Sequence, residues 1–182
     1  MPRDPIVDTS KLLSYVLRHR PDSIGLNLDA QGWAGVDDLL ACLCAHGKPV
    51  DRVLLERVVR ENDKQRFAFS PDGAKIRASQ GHSVAVDLAL LPAAPPSVLY
   101  HGTASRFLKS ILASGLHAGA RRHVHLSSDV QTATRVGMRH GFPVVLRVDA
   151  ARMQADGILF YQSDNGVWLT GAVAPRYLSL GS

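Results

Sequence analysis

Arg18, His19 and Arg20 stand side by side in the string SYVLRHRP and are followed at once by Pro21. A guanidinium presents a planar fork of donors that matches the oxygens of a phosphate or carboxylate, and an imidazole titrates near neutral pH. Together such groups can bind an anion and move a proton. The same residue types also suit a helix C-terminus, where the dipole and free carbonyls favour cations, and at this point the two explanations stand level. A second cationic pair, Arg66 and Arg77, flanks Ser70-Pro71-Asp72-Gly73, a strong turn signal. Pairing Phe69 with Ala74 across that turn sets Phe67 opposite Ile76 and Arg66 opposite Arg77. Phe67, Phe69 and Ile76 then share one face and the two arginines the other. Like charges directly opposite destabilise a strand pair by roughly a few tenths of a kcal/mol, a cost that a shared anion reverses. Arg139-His140 repeats the Arg-His doublet, and Arg135 lies four residues before Arg139, on the same face of a helix.

The histidines offer other chemistry. His101 sits at a strand end in YHGT, before a glycine and a threonine that allow close backbone approach. His123 and His125 alternate in HVHLSS and therefore face the same side of a strand. Two histidines at that spacing can bind zinc, but no third and fourth ligand stands at a familiar spacing, and Cys42-x-Cys44 on a helix diverges. No metal is expected. No acidic pair is embedded in a hydrolytic motif, Gly-x-Ser-x-Gly is absent, and no Gly-rich strand-to-helix turn marks a Rossmann or P-loop site.

These residues must be held by a scaffold of 182 residues, 46% apolar, with a net charge of +5. Of the 21 basic residues 16 are Arg and only 5 are Lys, a bias toward planar phosphate recognition and an anionic partner. No apolar run approaches the ~20 residues of a membrane span. The opening MPRDPIVDTS carries no apolar stretch after its charges, and Cys42 and Cys44 are too close for ordinary disulfide geometry, so a reduced cytoplasmic setting is expected. Prolines in LLPAAPPS, residues 90–97, divide the chain into lobes at 1–91 and 97–182. The first lobe reads as a helix over about 10–19 capped by Thr9 or Ser10, and an extended piece at Leu26–Leu28. A helix from Val36 to Gly47 and a helix capped by Asp51 follow, and then the hairpin. Three helices and a β-hairpin suggest a winged helix. The second lobe mixes strands at SVLYHGT, HVHLS and PVVLRVDA with a helix ended by Gly115. A further helix runs from a Ser128 or Asp129 cap to Gly141, and a hairpin turns at Asn165-Gly166. The fold class expected is α+β.

Taken together, SYVLRHRP, NDKQRF, KIRASQGHS, LYHGT, HVHLS, VGMRHG and DNGVWLT resemble one family, the NAD-dependent RNA (tRNA) 2′-phosphotransferases. The strings fall in family order over about Ser10 to Leu178, with one small departure at Ser79, where Asn is more usual. The resemblance implies an N-terminal winged-helix lobe joined to an ADP-ribosyltransferase-like lobe. It implies that an internal RNA 2′-phosphate attacks C1″ of the nicotinamide ribose of NAD and expels nicotinamide. The ribose 2″-OH then attacks phosphorus, releasing 2′-OH RNA and ADP-ribose 1″,2″-cyclic phosphate.

By the same resemblance Arg18, His19, Arg66 and Arg139 form the catalytic group. The arginines clamp phosphate in the second step and His19 hydrogen-bonds an oxygen or moves a proton. NAD falls to His101, Gly102 and Thr103, to His125, Leu126 and Ser127, and to Val167, a position that often carries glutamate in protein-modifying relatives. Arg77, Gln80 and His82 are the candidates for holding RNA phosphates. The expected partners are NAD and RNA bearing an internal 2′-phosphate, with no membrane and no metal, and the chain is expected to act as a monomer. Two rivals remain: an ADP-ribosyltransferase that stops after the first step on nucleic-acid ends or protein, and a winged-helix regulator that senses NAD.

Overall fold

Asp4 and Pro5 start the first helix. The Asp4 carboxylate accepts from the Ile6 N–H, and proline at the first helical position is preset for the helical φ. The computed structural model describes residues 4–62 and 64–181, and the chain divides between Ala89 and Leu90 into two compact units.

In unit 1 helix α1 spans Pro5–Arg18. Thr9 and Ser10, expected as its caps, instead lie buried inside it, because the Asp-Pro start adds more than a turn before them. The helix ends where proline dictates: His19 is the C-cap, and Pro21–Ile24 continue as a 3-10 turn. Residues 26–28 form no strand. Strand β1 (Ala34–Gly35) leads into α2 (Val36–Ala45), and α3 (Arg52–Arg60) starts on the Asp51 carboxylate, which accepts from the Leu54 N–H. Strands β2 (Phe67–Phe69) and β3 (Lys75–Ala78) pair antiparallel, with β1 on the other side of β3. The register is two residues away from the expected one: Phe69 faces Ile76, Phe67 faces Ala78 and Ala68 faces Arg77. Arg66 is therefore not opposite Arg77. Ser70 holds the longer loop closed, its N–H donating to the Lys75 carbonyl and its Oγ accepting from the Lys75 N–H. A two-residue shift preserves which side chains share a face, so Phe67, Ile76 and Ala78 still pack into a core with Leu13, Leu17, Leu39 and Leu55.

Unit 2 is built from small antiparallel sheets. Strand β4 (Val98–Ala104) precedes α4 (Leu108–Ser114), which Gly115 ends at a positive φ. Next come β5 (Leu116–His117), β6 (Val124–Leu126), α5 (Val130–Gly137) and β7 (Pro143–Asp149). The unit closes with α6 (Ala150–Ala155), β8 (Phe160–Gln162), β9 (Trp168–Thr170), β10 (Ala172–Val173) and β11 (Leu178–Leu180). The sheet orders are β11-β7-β4, β6-β9-β8 and β10-β5, and reciprocal backbone bonds between Tyr100 and Ser127 join the first two sheets. Asp129, rather than Ser128, caps α5. That helix stops at Gly137, four residues short of Gly141, so Arg139 lies in the turn beyond it and shares no helical face with Arg135. Leu99, Leu126, Leu146, Met153 and Phe160 centre this unit's core. Among the described residues no helix is long and apolar enough to cross a membrane.

Candidate functional site

Unit 1 sets the end of α1, with Arg18 and His19, against two segments, the one that carries Arg66 and the one that carries Ser83. Residues 64–66 are organised by Asn62, which is buried just after α3. Its side-chain oxygen accepts from the Lys64 N–H at 3.1 Å and from Arg66 Nη1 at 3.1 Å, while its amide donates to Ser10 Oγ on α1 at 2.9 Å. Gln65 is thereby held at φ 40°, a left-handed conformation that costs a side-chain-bearing residue energy. Ser79 Oγ secures that residue by donating to the Gln65 carbonyl at 2.9 Å, so serine fills this position with a definite bond. The Arg66 carbonyl accepts from the Ser79 N–H and from Arg18 Nη2 at 3.4 Å. The Arg18 guanidinium also lies 6.0 Å from the centre of the Phe67 ring.

A strap at 79–84 closes over the end of α1, with the N–H groups of Ser83 and Val84 both donating to the Arg18 carbonyl. His19 Nδ1 lies 2.9 Å from Ser83 Oγ. The strap carries Gln80, half-buried, and His82, which is only 3% exposed. Arg77 stacks 4.5 Å over Trp33 and reaches the Leu88 carbonyl at 3.4 Å. Arg20 is held by Asp22 at 3.1 Å, and its guanidinium keeps that carboxyl below the usual range. Sequence reasoning overlooked Asn62 and Ser83. The polar string NDKQRF directly after a helix was the available signal for Asn62; nothing local marks Ser83.

Unit 2 brings three of the remaining segments together. His101 Nδ1 lies 3.1 Å from the His125 carbonyl. A carbonyl only accepts, so Nδ1 carries the proton and the neutral ring presents Nε2 as an acceptor. Burial pushes the His101 pKa below its ordinary value; the His125 carbonyl opposes that shift and the nearby His140 adds to it. Gly102 has a packing reason: a Cβ there would stand 1.7 Å from the Ala133 carbonyl oxygen of α5. Gly137 mirrors it, its own Cβ position lying 2.6 Å from the Thr103 carbonyl oxygen. The close approach these residues permit is thus of helix to strand. It sets the turn bearing Arg139, which is exposed, at the Thr103 end of β4. Leu126 is a core residue and Ser127 reaches Tyr100 through its backbone. Half-buried Val167 directly precedes Trp168, which pairs with Leu126, and its carbonyl accepts from the Ser163 N–H. Among the described residues no group of three His, Cys, Asp or Glu is placed to hold a metal ion.

Two guanidinium forks and an imidazole brought together at the end of α1 are suited to binding phosphate groups. Comparison with known proteins narrows that reading. The profile described as "RNA 2′-phosphotransferase, Tpt1 / KptA family" matches residues 4–172, and the chain belongs to that family. It is 60% identical over 174 residues to a "Probable RNA 2′-phosphotransferase" of Agrobacterium fabrum, covering 96% of this chain and 94% of that protein. A protein of the same description from Pseudomonas aeruginosa is 56% identical over 179 residues, 98% of each chain. One from Acaryochloris marina is 55% identical over 168 residues, 92% of this chain and 93% of that one.

Proposed function

We propose that this protein is an NAD-dependent RNA 2′-phosphotransferase, a transferase that moves an internal 2′-phosphate from RNA to NAD. The observation that carries the reading is the family match over residues 4–172. In the first step a 2′-phosphate oxygen bonds to C1″ of the nicotinamide ribose as the C1″–N bond breaks and nicotinamide leaves. In the second the 2″-OH gives up its proton and bonds to phosphorus as the P–O2′ bond breaks; O2′ takes up a proton in exchange, and ADP-ribose 1″,2″-cyclic phosphate departs. The second step concentrates charge on the phosphoryl oxygens, and preorganised cations stabilise such a state without reorganising.

Arg18, Arg66 and Arg139 are assigned to that charge, and His19 to a phosphate oxygen or the departing proton. The bonds from Asn62 and Ser83 support these assignments, because they hold Arg66 and His19 in place before substrate arrives. NAD is assigned to His101, Gly102, Thr103, His125, Leu126, Ser127 and Val167. The Nε2 acceptor of His101 suits a ribose hydroxyl, while Gly102 and Leu126 act through backbone and packing. Arg77, Gln80 and His82 are assigned to the RNA side; the Trp33 stack and the burial of His82 leave Gln80 as the freest of the three. Unit 1 is read as a winged helix and unit 2 as an ADP-ribosyltransferase-like lobe, in a cytoplasmic monomer.

The test is incubation with NAD and a short RNA carrying one internal 2′-phosphate, without divalent metal. Loss of the 2′-phosphate is expected, and its persistence contradicts the reading. ADP-ribose left on the RNA with no cyclic phosphate would mark a one-step ADP-ribosyltransferase instead. The regulator reading is disfavoured by the mixed charge on the exposed face of α3 and its flanks, where Asp51, Glu56 and Glu61 stand beside Arg52, Arg57 and Arg60.

A further inference from the structure

A groove of about 550 Å³ runs along one face of α1 in unit 1, walled on the other side by Glu61, Asn62, Lys64 and Arg66. From Ile6 to His19 the helix rises about 20 Å, and Ile6, Ser10, Ser14 and Tyr15 repeat at helical spacing along the groove. His19 and Arg66 also line it. We infer that this groove holds the single-stranded nucleotides adjoining the 2′-phosphate of the RNA substrate, an inference that rests on the function proposed above.

Four observations carry it. The groove is continuous with two residues assigned to the phosphate. Its charge suits a polyanion: exposed Lys11 and Lys64 line it, and Glu61, the one carboxylate among the described lining residues, is engaged by Arg57 and Arg60 at 3.3 Å each. Lys11 lies 3.8 Å from Asp8, an exposed pair of little strength that a phosphate readily replaces. Tyr15, one turn before His19, keeps 47% of its surface exposed, and a ring presented to solvent beside cations is a stacking platform that accepts any base. Finally the Asn62–Ser10 bond ties the two walls together, so the groove exists before the strand arrives.

The experiment uses the full chain without NAD and a fluorescein-labelled RNA hexamer, with and without one internal 2′-phosphate. Dissociation constants are read by anisotropy at several salt concentrations. Wild type is expected to prefer the phosphorylated strand. Lys11→Ala should weaken that binding about fivefold and reduce the salt slope by about 0.7, the loss of one phosphate contact on a single strand. Tyr15→Ala should weaken it roughly tenfold without changing the slope, and Tyr15→Phe should restore it. Lys48→Ala, which removes an exposed lysine elsewhere in the unit, is the control and should match wild type. If Lys11→Ala and Tyr15→Ala bind like Lys48→Ala while wild type still prefers the phosphorylated strand, the groove is not the RNA path. If wild type binds both hexamers equally, it is the underlying function that fails.

Discussion

Asn62 joins α1 to Arg66 through one buried amide, satisfying three partners at once. Replacing Asn62 by Ala leaves the Ser10 hydroxyl and the Lys64 N–H without that partner, and should cost about 1–3 kcal/mol of stability in a denaturant titration. It should also lower kcat for 2′-phosphate removal at least tenfold with a smaller change in KM, because Arg66 loses its aim. Asn62→Asp, which keeps the acceptor for Arg66, should recover part of kcat; equal losses in both variants would contradict a positioning role. Arg66→Ala and Arg139→Ala should each accumulate ADP-ribosylated RNA, detected as a slower band that turns over poorly. Full loss without that species would move these arginines to the first step.

His101 yields a pH prediction. Its folded-state pKa lies below the ordinary 6.5, chiefly because it is buried. The unfolded chain therefore takes up a proton that the folded chain refuses, and stability present above pH 6.5 is lost progressively as pH falls from there through the lower folded-state value. Melting temperature should drop between pH 7.5 and 5.5, and His101→Gln should reduce the drop.

Among the elements, the packing of α5 on β4 depends on two glycines. Gly102→Ala places a methyl group 1.7 Å from a backbone oxygen and should destabilise the protein by roughly 3 kcal/mol. Gly171→Ala, with open space and an ordinary φ, should stay within about 0.5 kcal/mol, as denaturant midpoints would show. The elements also separate what local sequence determines from what it does not. Asp51, Asp129 and Gly115 act within a few residues: the two carboxylates start α3 and α5, and the glycine ends α4. The β2–β3 register escaped prediction because alternation determines the face and not the loop length, which the Ser70–Lys75 bonds decide. The end of α5 escaped because Gly137 is used against Thr103, a contact 34 residues distant in sequence. At the candidate site, the cationic residue types at Arg18, His19 and Arg66 were legible as suited to an anion, and the NAD role of His101 rests on the family resemblance. The bonds that aim them, from Asn62, Ser83 and the His125 carbonyl, depend on tertiary contacts that no short string encodes.

For the molecule as a whole, a net charge of +5 carried mainly by arginine suits the RNA substrate that family membership implies, and RNA association should weaken as salt rises. Family membership makes RNA phosphate the expected target, and the proposed route through NAD is what most needs measurement. The direct test follows the phosphate itself: RNA labelled with ³²P at its internal 2′-phosphate is incubated with NAD, and nicotinamide and all labelled products are quantified together. The account predicts one nicotinamide released per phosphate lost and all of the label in ADP-ribose 1″,2″-cyclic phosphate. Label recovered as inorganic phosphate, or phosphate loss that proceeds without NAD, would contradict it.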